Sequence, residues 1–217
     1  MLAAAKSVAY EIEKHAENLS ELEEPKYHNR LHFADALTSM SVQLSILVAL
    51  KKEANQDWMA CALLTCIAHD FFHPGKVNLV ESEIEQQSVN FLKPILDSHS
   101  VPDEWQKIID TMIVRSDFSI VHQNHAQVAG KAFEWNLEWL CVLLNEADVM
   151  ASASSKYGPE LGESLAQEWR LIDFPGHNSV ASLEGRKHFL KQLIFSSPAS
   201  LVLGLRERIA DEIHSMA

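Results

Sequence analysis

The sequence predicts an all-α fold, on three observations. Long stretches are rich in Ala, Leu, Glu, Gln and Lys, residues that lose little in a helix. Seven Gly and seven Pro in 217 residues are too few for the regularly spaced turns of an all-β chain. The apolar residues recur at intervals of three and four rather than alternately. At 217 residues and 47% hydrophobic, the chain can bury one substantial core. No repeat, low-complexity tract or linker divides it, so one domain over residues 1–217 is expected.

Charge and cysteine usage narrow the class. A formal net charge of -12 repels polyanions, and no Lys/Arg cluster could track phosphates, which argues against a nucleic-acid partner. A small anionic substrate stays open, because bound divalent cations reverse the field inside a site. Cys61, Cys66 and Cys141 lie in apolar runs and form neither a disulfide framework nor a Cys-x-x-Cys site. The N-terminus lacks the basic start and apolar centre of a signal peptide, and Ser41 to Leu50 is too short and polar to span a bilayer. A soluble cytoplasmic protein without a membrane partner is therefore expected.

Taken in order, Leu2, Ala5, Ala9, Ile12, Ala16 and Leu19 mark one face of a first helix. Ser20 to Lys26, with its glutamates and Pro25, reads as a loop. A second helix begins at Tyr27 and runs through Phe33, Leu37, Met40, Leu44 and Leu47. His28, His32 and Asp35 fall at i, i+4 and i+7 of it, sharing a face that is either a site or solvated. Lys51 to Gln56 is a polar connection. Trp58 to Phe72 is apolar nearly all round and hence central. It delivers His69, Asp70 and His73, and Pro74-Gly75 ends it.

After a short loop with Asn78, a helix opens near Glu81 and continues through Pro94 to about Leu96. Ser82 and Glu85 fit a Ser-x-x-Glu capping box, which would explain Glu85 structurally. Pro102 starts a helix that reaches Ser116 and Asp117, followed by His122 and His125 in a polar segment. Trp135 to Ala153 is another largely apolar helix, and Asp148 inside it needs a partner if buried. Helical patterns follow over Leu161 to Ile172, Leu183 to Phe195 and Pro198 to Ile213, with polar punctuation at Asp173 to Ser179.

The sequence is organised around Cys66-Ile67-Ala68-His69-Asp70-Phe71-Phe72-His73-Pro74-Gly75. A His and an Asp side by side in apolar surroundings are costly unless a metal, partner or water satisfies them. Adjacent helical residues point roughly 100° apart, so both reach one ion only if it sits against the helix end. Alone, the pair reads better as a core His capped by a neighbouring Asp, and it becomes informative only when further ligands occur at workable positions.

In chain order the candidates are a His, a His-Asp pair and a late Asp, and in this the sequence resembles the HD-domain superfamily of metal-dependent phosphohydrolases. Tyr27-His28-Asn29-x-x-His32-x-x-Asp35 and His69-Asp70-x-x-His73-Pro74-Gly75-x-x-Asn78 narrow the likeness to the catalytic core of class I cyclic nucleotide phosphodiesterases. It continues through Glu81-Ser82-x-Ile84-Glu85 and Ser116-Asp117-Phe118-Ser119, covers about residues 27–155, and thins beyond Tyr157.

The resemblance implies a site with two divalent metal ions, the first held by His32, His69, Asp70 and Asp148. Zinc, iron or manganese would suit that position. Asp70 would bridge to a second ion, magnesium or manganese, whose waters His73, Asn78, Glu85, Ser116 and Asp117 would hold, with Asp35 nearby. Hydroxide shared by the ions would attack the phosphorus of a 3',5'-cyclic nucleotide, and His28 would protonate the departing oxygen. Two departures stand out. Gln86-Gln87-Ser88 replaces the family's Asn-His-His. Gln192 and Phe195 have the spacing of the family's purine-gripping Gln and Phe, but the sequence around them is shorter and different, and two residues of a packing helix is the better reading.

Other readings remain. One is an HD-type phosphomonoesterase acting on nucleoside monophosphates. Another is an HD-type di-iron oxygenase, for which His99, His122 or His125 would have to converge on Asp70. The last is a non-catalytic nucleotide-binding module. Nothing in the residues indicates an oligomeric state.

Overall fold

The computed structural model describes residues 1–19, 24–50 and 53–216. Among these, all regular structure is helical: twelve helices and no strand, as expected. The expected links Ser20 to Lys26 and Lys51 to Gln56 lie partly outside the described residues.

The larger core is built by α1 (Leu2–Asn18), α2 (Arg30–Ala49), α3 (Gln56–Ala68), α4 (Glu83–Ser98), α5 (Asp103–Val114), α6 (Val121–Val128) and α7 (Leu137–Met150). Helices α3 and α7 are its centre. Cys61, Ala62, Leu64 and Cys66 on the first and Leu140 to Leu144 on the second have no exposed surface, which is why both read as apolar nearly all round. Helix α2 packs against both, and its buried Gln43 donates from Nε2 to the Leu143 carbonyl at 3.0 Å. By length and composition α2 could cross a membrane, which the Ser41 to Leu50 window alone concealed. Core helices pass the same test, and here Phe33, Met40, Leu44 and Leu47 are buried in the interior.

The C-terminal part consists of α8 (Gly158–Leu171), α9 (His177–Val180), α10 (Leu183–Gln192), α11 (Pro198–Val202) and α12 (Leu205–Ser215). Ala153, Leu190, Phe195 and Ile209 form a second, smaller core there. The expected helix over Pro198 to Ile213 is broken in two at Gly204, whose φ of 63° is left-handed backbone that glycine adopts freely. Polar residues tie this part to α7. The buried Glu146 accepts from the backbone N–H groups of Ser196 and Ser197 and from the Ser200 hydroxyl.

His125 is helical, on α6, and buried rather than in an exposed polar segment. Its Nδ1 pairs with Ser196 Oγ at 2.8 Å. Burial, helped by the charges of His122 and Arg206, pushes its pKa from 6.5 to about 4. The folded ring stays neutral where the unfolded chain takes up a proton, so this contribution to stability is present above pH 6.5 and lost as pH falls toward 4. His125→Gln should flatten the fall in melting temperature between pH 7 and 5, removing up to about 1.4 kcal/mol per pH unit of slope. Thermal melts of both proteins across that range check it.

Candidate metal centre

Three chain segments meet beside α2, α3 and α7. Helix α3 does not reach Phe72 as expected but ends at Ala68. Beyond it the chain closes into tight turns, with the Phe71 N–H on the Ala68 carbonyl at 3.1 Å and the His73 N–H on the Asp70 carbonyl at 2.8 Å. The turn is as buried as the helix, which is why apolar periodicity did not mark the boundary. Phe72 sits at φ 60°, a conformation rare for a bulky residue, its ring packed among Phe71, Phe91 and His15.

At the helix end, His69 and Asp70 meet His32 from the first turn of α2 and Asp148 from the last turns of α7. One ligand atom from each lies within 4.8 Å of the others. His32 Nε2 is 3.4 Å from His69 Nε2 and 3.2 Å from both Asp70 Oδ2 and Asp148 Oδ1. His69 Nε2 is 3.2 Å from Asp70 Oδ2 and 3.4 Å from Asp148 Oδ1. An ion bound at about 2.0–2.2 Å sets neighbouring ligands roughly 3.0–3.6 Å apart, so the four atoms match a coordination shell.

The donor set fits as well as the distances. The Cys66 carbonyl accepts from His69 Nδ1 at 2.7 Å, which puts the proton on Nδ1 and turns the Nε2 lone pair into the cluster. Burial alone would drive protons off His32, yet hydrogen bonds to Asp148 and Asp70 outweigh it and lift its pKa to about 9. His69 is raised in the same way, burial opposing and the Asp70 charge prevailing. Burial would raise both carboxylates, but His69 and His32 hold Asp70 and Asp148 below the ordinary range. The centre therefore attracts positive charge, and a divalent cation supplies it without loading both imidazoles with protons.

His28 reaches the same place by another route than expected. It precedes the helix instead of standing one turn from His32. Asn29 is the N-cap, accepting from the N–H groups of Leu31 and His32 at 2.8 and 3.4 Å, and α2 starts at Arg30. His28 Nε2 is 4.0 Å from Asp70 Oδ2, while Nδ1 bonds Glu168 Oε1 at 2.5 Å. Glu168, on α8, also accepts from the backbone N–H groups of Tyr27 and His28. Burial would raise its pKa, but the His28 hydrogen bond and charge outweigh that and lower it. The sequence reading missed Glu168. The available signal was a Glu at i+7 from Leu161 and i+3 from Leu165, on the apolar face of its helix.

His73 stacks on His28 with ring centroids 3.7 Å apart and planes 24° from parallel. His28, His73 and Glu168 also offer close ligand atoms. Ring lone pairs lie in the ring planes, however, and two rings stacked face to face do not aim at one ion. The Gly75 N–H donates to His73 Nδ1 at 3.1 Å, so the neutral ring carries its proton on Nε2. Burial, with the His28 charge, pushes the His73 pKa to about 3. Gly75 has φ 67°, and a Cβ there would stand 3.2 Å from Glu168 Cγ, so both backbone and space call for glycine.

Asn78, Glu85 and Asp117 form a further network, close enough for the Asp70 charge to act on Glu85. Asn78 Nδ2 donates to Glu85 Oε2 at 2.8 Å and Asp117 Oδ2 at 3.2 Å, and its side-chain carbonyl accepts from the Ile84 N–H at 2.9 Å. Asn78 thus caps α4, and the expected Ser82–Glu85 capping box is absent. Ser82 is left-handed at φ 59°, giving its N–H to Asp117 at 2.6 Å and its hydroxyl to the Val114 carbonyl. Glu85 is free for the site: burial raises its pKa to about 7, the Asn78 bond opposing and the charges of Asp117 and Asp70 adding. The Ser116 hydroxyl donates to the Ile113 carbonyl at 2.7 Å.

Other candidates fall outside the centre. Asp35 is exposed on α2 and is not among the clustered ligands, and with the helix starting at Arg30 it has no helical register with His28. Gln192 is the last residue of α10, and Phe195, beyond that helix, is buried in the second core, so the two do not share a helix face. His99 bonds Ser7, His125 bonds Ser196, and His122 is exposed on α6. None of these three joins the cluster at Asp70.

No protein-family model and no curated protein matches the chain. Sixteen chains of solved structures do. One is the phosphodiesterase domain of the RhoPDE fusion protein from the choanoflagellate Salpingoeca rosetta, at TM-score 0.68 and 14% identity over 99% of this chain and 89% of that one. At that identity the likeness concerns the fold: the chain has the all-helical architecture of a phosphodiesterase domain and, within it, a His/Asp cluster able to bind metal.

Proposed function

We propose that this chain is a metal-dependent phosphodiesterase of the HD type, acting on a small phosphodiester, with 3',5'-cyclic nucleotides the first class to assay. One observation carries the reading. The Nε2 atoms of His32 and His69 stand 3.4 Å apart and each lies 3.2–3.4 Å from one carboxylate oxygen of Asp70 and one of Asp148, with His28 Nε2 4.0 Å from the same Asp70 oxygen. A ligand shell and the Nε2 of a ring outside it thus face one point. The phosphodiesterase-domain fold supports the same class of reaction.

His32, His69, Asp70 and Asp148 would hold the first ion, and Glu85 and Asp117, tied by Asn78, would stand by a second near Asp70. Divalent ions there would supply Lewis acidity toward phosphate oxygens and acidify coordinated water to near neutrality. The chain's own residues do the rest. Glu168 accepts from His28 Nδ1, which fixes the ring; as an imidazolium, His28 carries its second proton on Nε2, hands it to the departing alkoxide, and is left as the neutral ring with its remaining proton on Nδ1 toward Glu168. His73 covers the other face of that ring and stays neutral, so it adds no competing charge.

His28→Ala should keep its metal and lose about 10²- to 10⁴-fold in kcat. Glu168→Gln, which retains a hydrogen bond but not the charge, should lose about 10- to 100-fold. Asp70→Ala should lose metal and activity together. Elemental analysis of each variant beside hydrolysis assays over cyclic mononucleotides, cyclic dinucleotides and nucleoside monophosphates checks all three. Full turnover in His28→Ala, or cleavage of monoesters alone, contradicts the reading.

A further inference from the structure

The two longest stretches of this acidic chain without Asp, Glu, Lys or Arg are residues 36–50 and 192–205. The fold packs them together: 36–50 is most of α2, and α11, within the second stretch, lies against it. Their inner sides are core, with Met40, Leu44 and Leu47 on α2 and Ala199 on α11. Their outer sides face solvent. Val42 is 39% exposed, Leu201 51% and Val202 60%, and Thr38, Ser41 and Ser45 are exposed on the same stripe of α2 as Val42. Two grooves run along this face and share Val42. One, of about 440 Å³, follows the outer turns of α2. The other, of about 620 Å³, lies between Val42, Met150, Leu203, Leu205 and Ile209.

The polar groups of the face are already satisfied within it. The Ser41 hydroxyl donates to the Leu37 carbonyl and the Ser45 hydroxyl to the Ser41 carbonyl, both at 2.8 Å, so covering them strands no donor. These small side chains also let another helix come close. On the α12 wall of the second groove, Arg208 and Asp211 are exposed and opposite in sign, and among the described residues neither is in an ion pair. The exposed parts of α2 and α11 together amount to roughly 600–700 Å², at or above the largest apolar patch of an ordinary monomer and near the about 800 Å² that each partner gives a standard dimer.

We infer that this face joins two copies of the chain, α2 against α2 about a two-fold axis. Such an axis sets one patch on itself, each residue i meeting j while j meets i, so a rim bearing both Arg208 and Asp211 complements its own copy. Two chains of net charge -12 repel wherever their charged faces meet, and here the centre of the contact brings no charge. A lipid surface fits less well. Helices that lie on bilayers flank their apolar face with Lys and Arg, and residues 36–50 and 192–205 have neither.

Sedimentation equilibrium of the full chain, over about 1–200 µM, tests this independently of any catalytic activity. The mass should rise with concentration from 24.4 kDa toward twice that value. Val42→Lys and, separately, Leu201→Lys place a charge in the contact and should weaken association at least about 100-fold, each keeping the helix content of the parent by circular dichroism. With two variants on different helices, misfolding of one leaves the other to decide. A mass that stays at 24.4 kDa throughout, a dimer that survives the substitutions, or a chain that binds phosphatidylcholine vesicles while remaining monomeric overturns the inference.

Discussion

Two imidazole nitrogens facing each other at 3.4 Å, with a carboxylate oxygen from either side at nearly the same distance, are the constraint around which this fold is arranged. With neutral rings the two lone pairs repel, and with charged rings both are buried against a loss of solvation. A single cation resolves the conflict for all four groups. His32, His69 and Asp148 come from segments far apart in the chain, so their meeting depends on the long packing of α2 against α3 and α7. The apolar interior of those helices fixes the positions that four polar side chains then exploit.

The turn after α3 carries the cost of that arrangement. Phe72 in left-handed backbone is worth roughly 1–2 kcal/mol of strain. Its packing among Phe71, Phe91 and His15 holds the turn against relaxation. Gly75 lets the chain pass close to Glu168. Through Glu168 the C-terminal helices complete the centre, and through Glu146 and Arg186 they are fastened to α7 and the segment after it. The second core is thus tied to the site by charged side chains rather than by apolar surface alone.

Helices were legible in the sequence wherever one face was apolar and the other not, as in α1 and α5, and the fold class followed from that. Boundaries inside the core were not: Ala68 to Phe71 is as buried as the helix before it, and burial does not distinguish a turn from a helix. The same difficulty put His28 in helical register with His32, although Asn29 is a strong N-cap type and marks the start at Arg30. Ser82 and Glu85 satisfied a local motif that long-range bonds to Asp117 and Asn78 displaced. Glu168 escaped notice because its meaning lies in a contact with His28, 140 residues away. Gly204 is a helix breaker by residue type, yet the apolar pattern on both sides carried one expected helix through it.

The most direct measurement is anomalous diffraction from crystals grown with manganese or zinc, recorded on either side of the metal's absorption edge. The expected result is an ion within about 2.0–2.3 Å of His32 Nε2, His69 Nε2 and carboxylate oxygens of Asp70 and Asp148. The contradicting result is a well-ordered centre with those four side chains in place and no anomalous scatterer among them.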